Sequence, residues 1–170
     1  PDQAFAYGDL VPLGFVLKGL NRAATLLEDE DETKDVVLAT RGKLSQYLLD
    51  RRQENLWAFH SQRLITATDS ALVLQGFNEP KSLEALELFA DGRGGYYPQL
   101  WSTDKQPNKM VLDESCTHWC QADYATTCLV RALRQEAGLI TTTTTEYLTE
   151  GMSSRSGLYF ANPYLVDWVL

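Results

Sequence analysis

Three stretches of the chain superimpose on one another: FVLKGLNRA (residues 15–23), LVLQGFNEP (72–80) and CLVRALRQE (128–136). Each runs through aliphatics, a polar residue, a small residue and a large apolar one. Leu20, Phe77 and Leu133 are thus equivalent, at steps of 57 and 56 residues. A step this even marks a structural repeat. A repeat constrains the fold more than any single motif, because each unit must bury its apolar face on its neighbours. The three stretches are apolar nearly all round, which predicts buried inner helices. The small residue in each, Gly19, Gly76 and Ala132, is expected to let a neighbouring helix approach closely.

The segments between them carry a narrower apolar stripe. In residues 33–52, Val37, Leu44 and Leu48 recur at helical spacing, with Lys34, Arg41, Lys43, Asp50 and Arg51 on the other side. This pattern predicts an amphipathic outer helix. Residues 82–90 repeat it through Leu83, Leu86 and Ala90, with Ser82 as the expected N-cap. Residues 141–148 are a weaker third case: the β-branched run disfavours helix, but Thr143 with Glu146 fits a capping box. An aromatic corner follows each outer helix: QENLWAFH (53–60), GRGGYYPQ (92–99) and RSGLYFAN (155–162). The repeating unit is therefore outer helix, aromatic corner, inner helix. The expected fold class is all-α, a curved solenoid or an α/α toroid-type array of helical hairpins. Residues 1–170 read as a single domain or a fragment of one, because the closing NPYLVDWVL looks like a helix cut short.

Charge and cysteine usage exclude several classes of function. A net charge of −8, a pI near 4.7 and the lack of any basic run argue against nucleic acid or an anionic membrane surface as partner. No apolar run approaches the roughly 20 residues needed to span a bilayer, so no transmembrane segment is expected. Three cysteines are an odd, low count that points to reduced thiols and a cytoplasmic location.

The repeats resemble those of the terpenoid cyclase and protein prenyltransferase superfamily, including squalene-hopene cyclase-like proteins. The resemblance rests on Gln53, Glu54, Asn55 and Trp57 at the corner, and on the inner-helix segments DSALVLQGF and DYATTCLVRAL. It covers residues 33–170 and, more weakly, 10–27. It implies an α/α toroid whose cavity opens beside the inner-helix N-termini, with about three of the family's six hairpins present. The family's catalytic signatures are not matched. Around Asp123 the sequence is Gln121-Ala122-Asp123-Tyr124, which keeps one acid of the cyclase Asp-x-Asp-Asp run. The Asp-x-Cys zinc pair of the prenyltransferases does not occur.

Asp69 and Asp123 lie in the first turns of inner helices and are the candidate catalytic acids; a 56-residue step pairs Asp69 with Ala125, so the two are not equivalent. A carboxylate at such a place also caps a helix and complements its dipole, which is the structural alternative. In the functional reading, Asp123 beside Trp119 and Tyr124 is a buried general acid. Trp57, His60, Tyr97, Trp101, Trp119, Tyr124 and Tyr159 are then candidates to line an apolar cavity for a hydrophobic small molecule. Cys116, His118 and Cys120 have the ligand chemistry of zinc, at a spacing that suits an extended loop with one further ligand. Two small buried thiols and a cap histidine are the favoured structural alternative, and no other cofactor is expected. Cys128 is expected in the core. EDEDE (28–32) is read as a solvated linker, DGRGG (91–95) as a turn, and the long connection 98–120 as a functional elaboration.

Two functions follow as expectations. The first is a cyclase-like or prenyltransferase-like domain that binds, and in the fullest reading cyclises, an isoprenoid-like substrate. The second is a non-catalytic helical-repeat module that binds another chain or a missing part of its own domain. A zinc-dependent site is a third reading.

Overall fold

The computed structural model describes residues 8, 10–29, 31–58, 65–76, 78–99, 101–103, 106–111 and 121–154; of 101–103, 106–111 and 154 only the backbone is described. Six α-helices dominate these residues: α1 (Leu10–Leu26), α2 (Glu32–Leu49), α3 (Ala67–Leu74), α4 (Pro80–Ala85), α5 (Tyr124–Glu136) and α6 (Thr145–Ser154). The all-α class is as expected. One short antiparallel hairpin, β1 (Trp101–Thr103) with β2 (Gln106–Val111), lies within the long connection between α4 and α5.

The outer helices begin and end where local chemistry dictates. Asp31, the N-cap of α2, accepts the Thr33 amide at 2.8 Å, so the acidic run 28–32 ends as a helix start. At α4 the cap is Glu79 rather than Ser82: its carboxylate accepts the Ser82 amide at 2.9 Å, and Pro80 opens the helix. A 3-10 turn over Leu86–Phe89 follows α4, so the expected single helix is two pieces. At α6 the Thr144 hydroxyl, not that of Thr143, accepts the Tyr147 amide at 3.1 Å.

Helices α1, α3 and α5 pack side by side, with α2 on α1, α4 against both α3 and α5, and α6 on α5. The inner helices run parallel and at the same height, because residues one repeat apart meet across them. Lys18 donates to Gln75 at 2.6 Å, 57 residues away, and the Thr68 and Thr126 hydroxyls, 58 apart, lie 2.8 Å from each other. Leu17, Leu48, Leu56, Trp57, Val73, Leu86, Phe89, Tyr96, Leu129 and Val130 form the buried centre of this array.

α1 and the end of α3 approach closely. A Cβ on Gly14 would stand 2.8 Å from the Val73 Cα, and one on Gly76 would fall on the Gly14 carbonyl oxygen. Backbone meets backbone there, so neither position has room for a side chain. Gly19 does not share this role: among the described residues nothing stands within 4 Å of a Cβ placed on it. Gly14 is the residue that makes the contact, five positions earlier than the repeat alignment suggested.

Forcing a side chain into this contact moves two backbones apart. Gly76→Val is expected to cost about 1–3 kcal/mol or more by overpacking. Gly42→Ala, at an open position in α2, is expected to gain up to about 1 kcal/mol from helix propensity. Urea unfolding midpoints of the two variants check both signs.

Candidate functional site

The N-terminal ends of the inner helices are tied together by the aromatic corners. The Trp57 amide donates to the Ser70 hydroxyl at 2.9 Å, and that hydroxyl donates back to the Trp57 carbonyl at 3.0 Å. One repeat later, the Tyr96 amide donates to the Thr127 hydroxyl at 2.9 Å. Ser70 and Thr127 are 57 residues apart, so the same bond recurs at the same helical position. The second corner also spans two helices: the Pro98 carbonyl accepts the Ala67 amide at 2.9 Å, and the Tyr96 carbonyl accepts the Asp123 amide at 3.2 Å. Trp57 itself is fully buried, and its indole N–H donates to the Leu48 carbonyl at 2.8 Å. It joins the corner to α2 and is part of the core instead of the wall of a cavity.

Both candidate acids sit at these helix starts, in mirror-image caps. In α3, Thr66 is the N-cap: its hydroxyl accepts the Asp69 amide at 3.0 Å and donates to the Asp69 carboxylate at 2.6 Å. In α5 the two residue types exchange places. Asp123 is the N-cap, its carboxylate accepting the Thr126 amide at 2.8 Å and the Thr126 hydroxyl at 3.0 Å. Asp69 therefore corresponds to Thr126 and Asp123 to Thr66, a step of 57 that places Asp69 one residue beyond the expected partner Ala125. The proton of the Thr126 hydroxyl goes to Asp123, so the Thr68 hydroxyl donates in their 2.8 Å contact. A buried chain Thr68–Thr126–Asp123 results, with Asp123 only 3% exposed.

Around this chain lie further titratable groups. Burial pushes the Asp69 carboxyl above its ordinary 3.8, partly offset by the Thr66 hydroxyl. Burial likewise raises the Tyr147 phenol, the charges of Asp91 and Asp123 adding to it and a hydrogen bond with Thr127 opposing it. The Cys128 thiol is also held up by burial, so it is not an activated nucleophile. Tyr96 is pushed up to about 12, first by burial and then by the hydrogen bond its hydroxyl donates to Glu87 at 2.9 Å. Glu87 is in turn 3.0 Å from buried Arg134, whose guanidinium donates to the carbonyls of Leu83 and Ile140, each at 2.7 Å. Arg134 thus ties α5 to the end of α4 and to the segment after α5. Asp91 closes the 91–95 turn by accepting the Arg93 and Gly95 amides at 2.7 and 2.9 Å.

Asp69 and Asp123 are not among the residues that line either of two cavities built from described residues. A polar cleft of about 440 Å³ opens at the C-terminal ends of α3 and α5, beside Lys18, Asn21, Gln75, Asn78, Leu133 and Glu136. A more apolar groove of about 360 Å³ runs between α5 and α6, lined by Tyr124, Cys128, Arg131, Ala132, Leu148 and Met152 among others. Cys128 faces this groove and is not core. Tyr97 is half-buried in the second corner, its amide donating to the Phe89 carbonyl at 2.8 Å. Trp101 is described by backbone only, as the first residue of β1. His60, Trp119, Tyr159 and the zinc candidates Cys116, His118 and Cys120 lie outside the described residues. Among the described residues no group of three or more His, Cys, Asp or Glu is placed to hold a metal, and no helix is long and apolar enough to cross a membrane.

No protein-family profile, curated protein or solved structure matches this chain. The residues that sequence reasoning passed over are the hydroxyls Thr66, Thr68, Ser70, Thr126 and Thr127, together with Tyr147 and Arg134. Two signals stood in plain view: Thr66-x-x-Asp69 and Asp123-x-x-Thr126 are the same cap written in opposite order.

The two acids differ in what they do for stability. Asp69 has a folded value above its unfolded one, so the folded chain binds more protons in between and stability falls as pH rises through that window. Asp69→Asn keeps an acceptor for Thr66 and is expected to raise the urea midpoint near pH 7, a gain that disappears below about pH 3. For Asp123, Asp123→Ala is expected to cost about 2 kcal/mol or more, because the cap is lost and the buried Thr126 hydroxyl loses its acceptor. Asp123→Asn should cost clearly less, and chemical denaturation of the pair measures the difference.

Proposed function

We propose that the chain is a non-catalytic helical-hairpin module of the terpenoid cyclase and prenyltransferase kind, which acts by binding a partner along the faces of its α/α array. One observation carries this reading: both carboxylate oxygens of Asp123 accept hydrogen bonds from Thr126, and neither described cavity reaches Asp69 or Asp123. A general acid must come within hydrogen-bond reach of the atom it protonates, directly or through one water. Asp123 instead caps the start of α5.

A second reading has its own observation. The α5–α6 groove presents Tyr124, Leu148 and Met152, and its volume of about 360 Å³ falls within the range of small-molecule sites. A linear apolar chain of the isoprenoid type fits that chemistry as a bound, unreacted ligand.

Incubation with squalene, followed by gas chromatography and mass spectrometry, tests the absence of catalysis. No cyclised product is expected from the wild-type chain. A cyclic product that disappears in Asp123→Asn, with the helical circular dichroism unchanged, would overturn the module reading. Farnesol titrated against the chain tests the second reading, with Met152→Lys expected to weaken any saturable binding.

A further inference from the structure

We infer that the polar cleft at the C-terminal ends of α3 and α5 binds a small zwitterion: an ammonium and a carboxylate carried on a short apolar frame, of which an apolar amino acid is the simplest case. The inference goes beyond the module reading, because it concerns a small ligand at the end of the inner helices opposite to Asp69 and Asp123.

The repeat assembles the cleft. Lys18 and Gln75 are 57 residues apart, and so are Asn21 and Asn78, so a polar pair on α1 recurs at and beyond the end of α3. Parallel helices in register bring the two pairs to one place. Leu83 of α4, with Leu133 and Glu136 of α5, completes the lining. The volume of about 440 Å³ falls within the range of small-molecule sites.

The two charged residues of the lining, Lys18 and Glu136, come from different walls. On the α1–α3 wall, the Lys18 ammonium donates to the Gln75 Oε1 at 2.6 Å. That bond places a positive charge on this wall and leaves the Gln75 Nε2 as a donor. On the α5 wall, Glu136 stands in the last turn, where the negative end of the helix dipole adds to its charge. Arg134, the base of that last turn, does not offset it, because its guanidinium is taken up by Glu87 and by the carbonyls of Leu83 and Ile140. Asn21 contributes a further acceptor: its Nδ2 donates to the Gly76 carbonyl, so its Oδ1 is left to accept.

This arrangement selects among charge types. A simple cation would meet the charge of Lys18, and a simple anion would meet Glu136 and the end of α5. A molecule that carries both charges satisfies both walls, its carboxylate toward Gln75 and Lys18 and its ammonium toward Glu136 and the end of α5. The frame between the charges must be short and modest in apolar area. Leu74, Leu83 and Leu133 line the cleft but are only 3%, 3% and 9% exposed, so they offer a narrow apolar strip.

Isothermal titration calorimetry of the 170-residue chain with leucine tests the inference, and saturable binding with a Kd on the order of 1 mM or tighter is expected. N-acetylleucine lacks the ammonium and leucinamide lacks the carboxylate, so each should bind at least about threefold more weakly than leucine. Leucyl-leucine, titrated alongside, separates the two sources of this chemistry: tighter binding than leucine assigns the cleft to short peptides, weaker binding to free amino acids. Glu136→Gln, at an exposed position, should abolish the preference for leucine over N-acetylleucine and keep the preference over leucinamide. Lys18→Met should do the reverse; if it disturbs the α1–α3 contact and lowers the helical circular dichroism, the Glu136→Gln result decides alone. The inference is overturned by the absence of saturable heat below about 10 mM, by equal affinity for leucine and its two derivatives, or by a Glu136→Gln variant that weakens all three alike. None of these outcomes touches the module reading, which the squalene assay decides.

Discussion

The architecture depends on one close contact, in which Gly14 of α1 meets the backbone at Val73 and Gly76 at the end of α3. With no side chain on either glycine, two inner helices approach until backbone touches backbone, and that separation sets the spacing of the array. Dispersion contacts fall off within fractions of an ångström, so Leu17 and Val73 are fully enclosed only at this distance. The hydrogen bond of Lys18 with Gln75 belongs to this contact, and that of Thr68 with Thr126 repeats the one-repeat pairing between α3 and α5.

The corners then fix the helix ends. Trp57 and Tyr96 each give a backbone amide to a hydroxyl one turn inside the next inner helix, Ser70 or Thr127. A buried amide without a partner is costly, so these hydroxyls do structural work that an alanine could not. The same logic accounts for both acids. A helix start leaves amides without intrahelical partners, and a carboxylate or hydroxyl three residues away supplies the acceptor. Asp69 and Asp123 meet that need with Thr66 and Thr126. Their geometry is that of caps.

Much of this was legible in the sequence. The helices, the first repeat step and the turn at Asp91 follow from spacing and residue type, whereas the step from α3 to α5 is 57 rather than 56, and Val16 and Leu26 of the apolar α1 are exposed. The less legible parts share a physical cause. Gly14 and Gly19 look alike in the sequence, both glycines in one apolar helix, and differ only in the side of the helix on which they fall. Cys128 sits in a run that reads as core, yet it faces a groove because α5 buries Leu129 and Val130 instead. Arg134, within a segment that pattern alone assigns to the interior, is held there by carbonyls from two other segments. Periodicity states that a helix has a buried side; it does not state which neighbour covers it.

By itself, then, the sequence determined the helical class, the order of the main helices and the first repeat step, because these rest on interactions among residues a few positions apart. Tertiary structure alone decided that Trp57 fills the core and that Arg134 is held by the carbonyls of two other segments. Those outcomes depend on which helix lies beside which, and side-chain direction acquires a functional meaning only once that neighbour is in place.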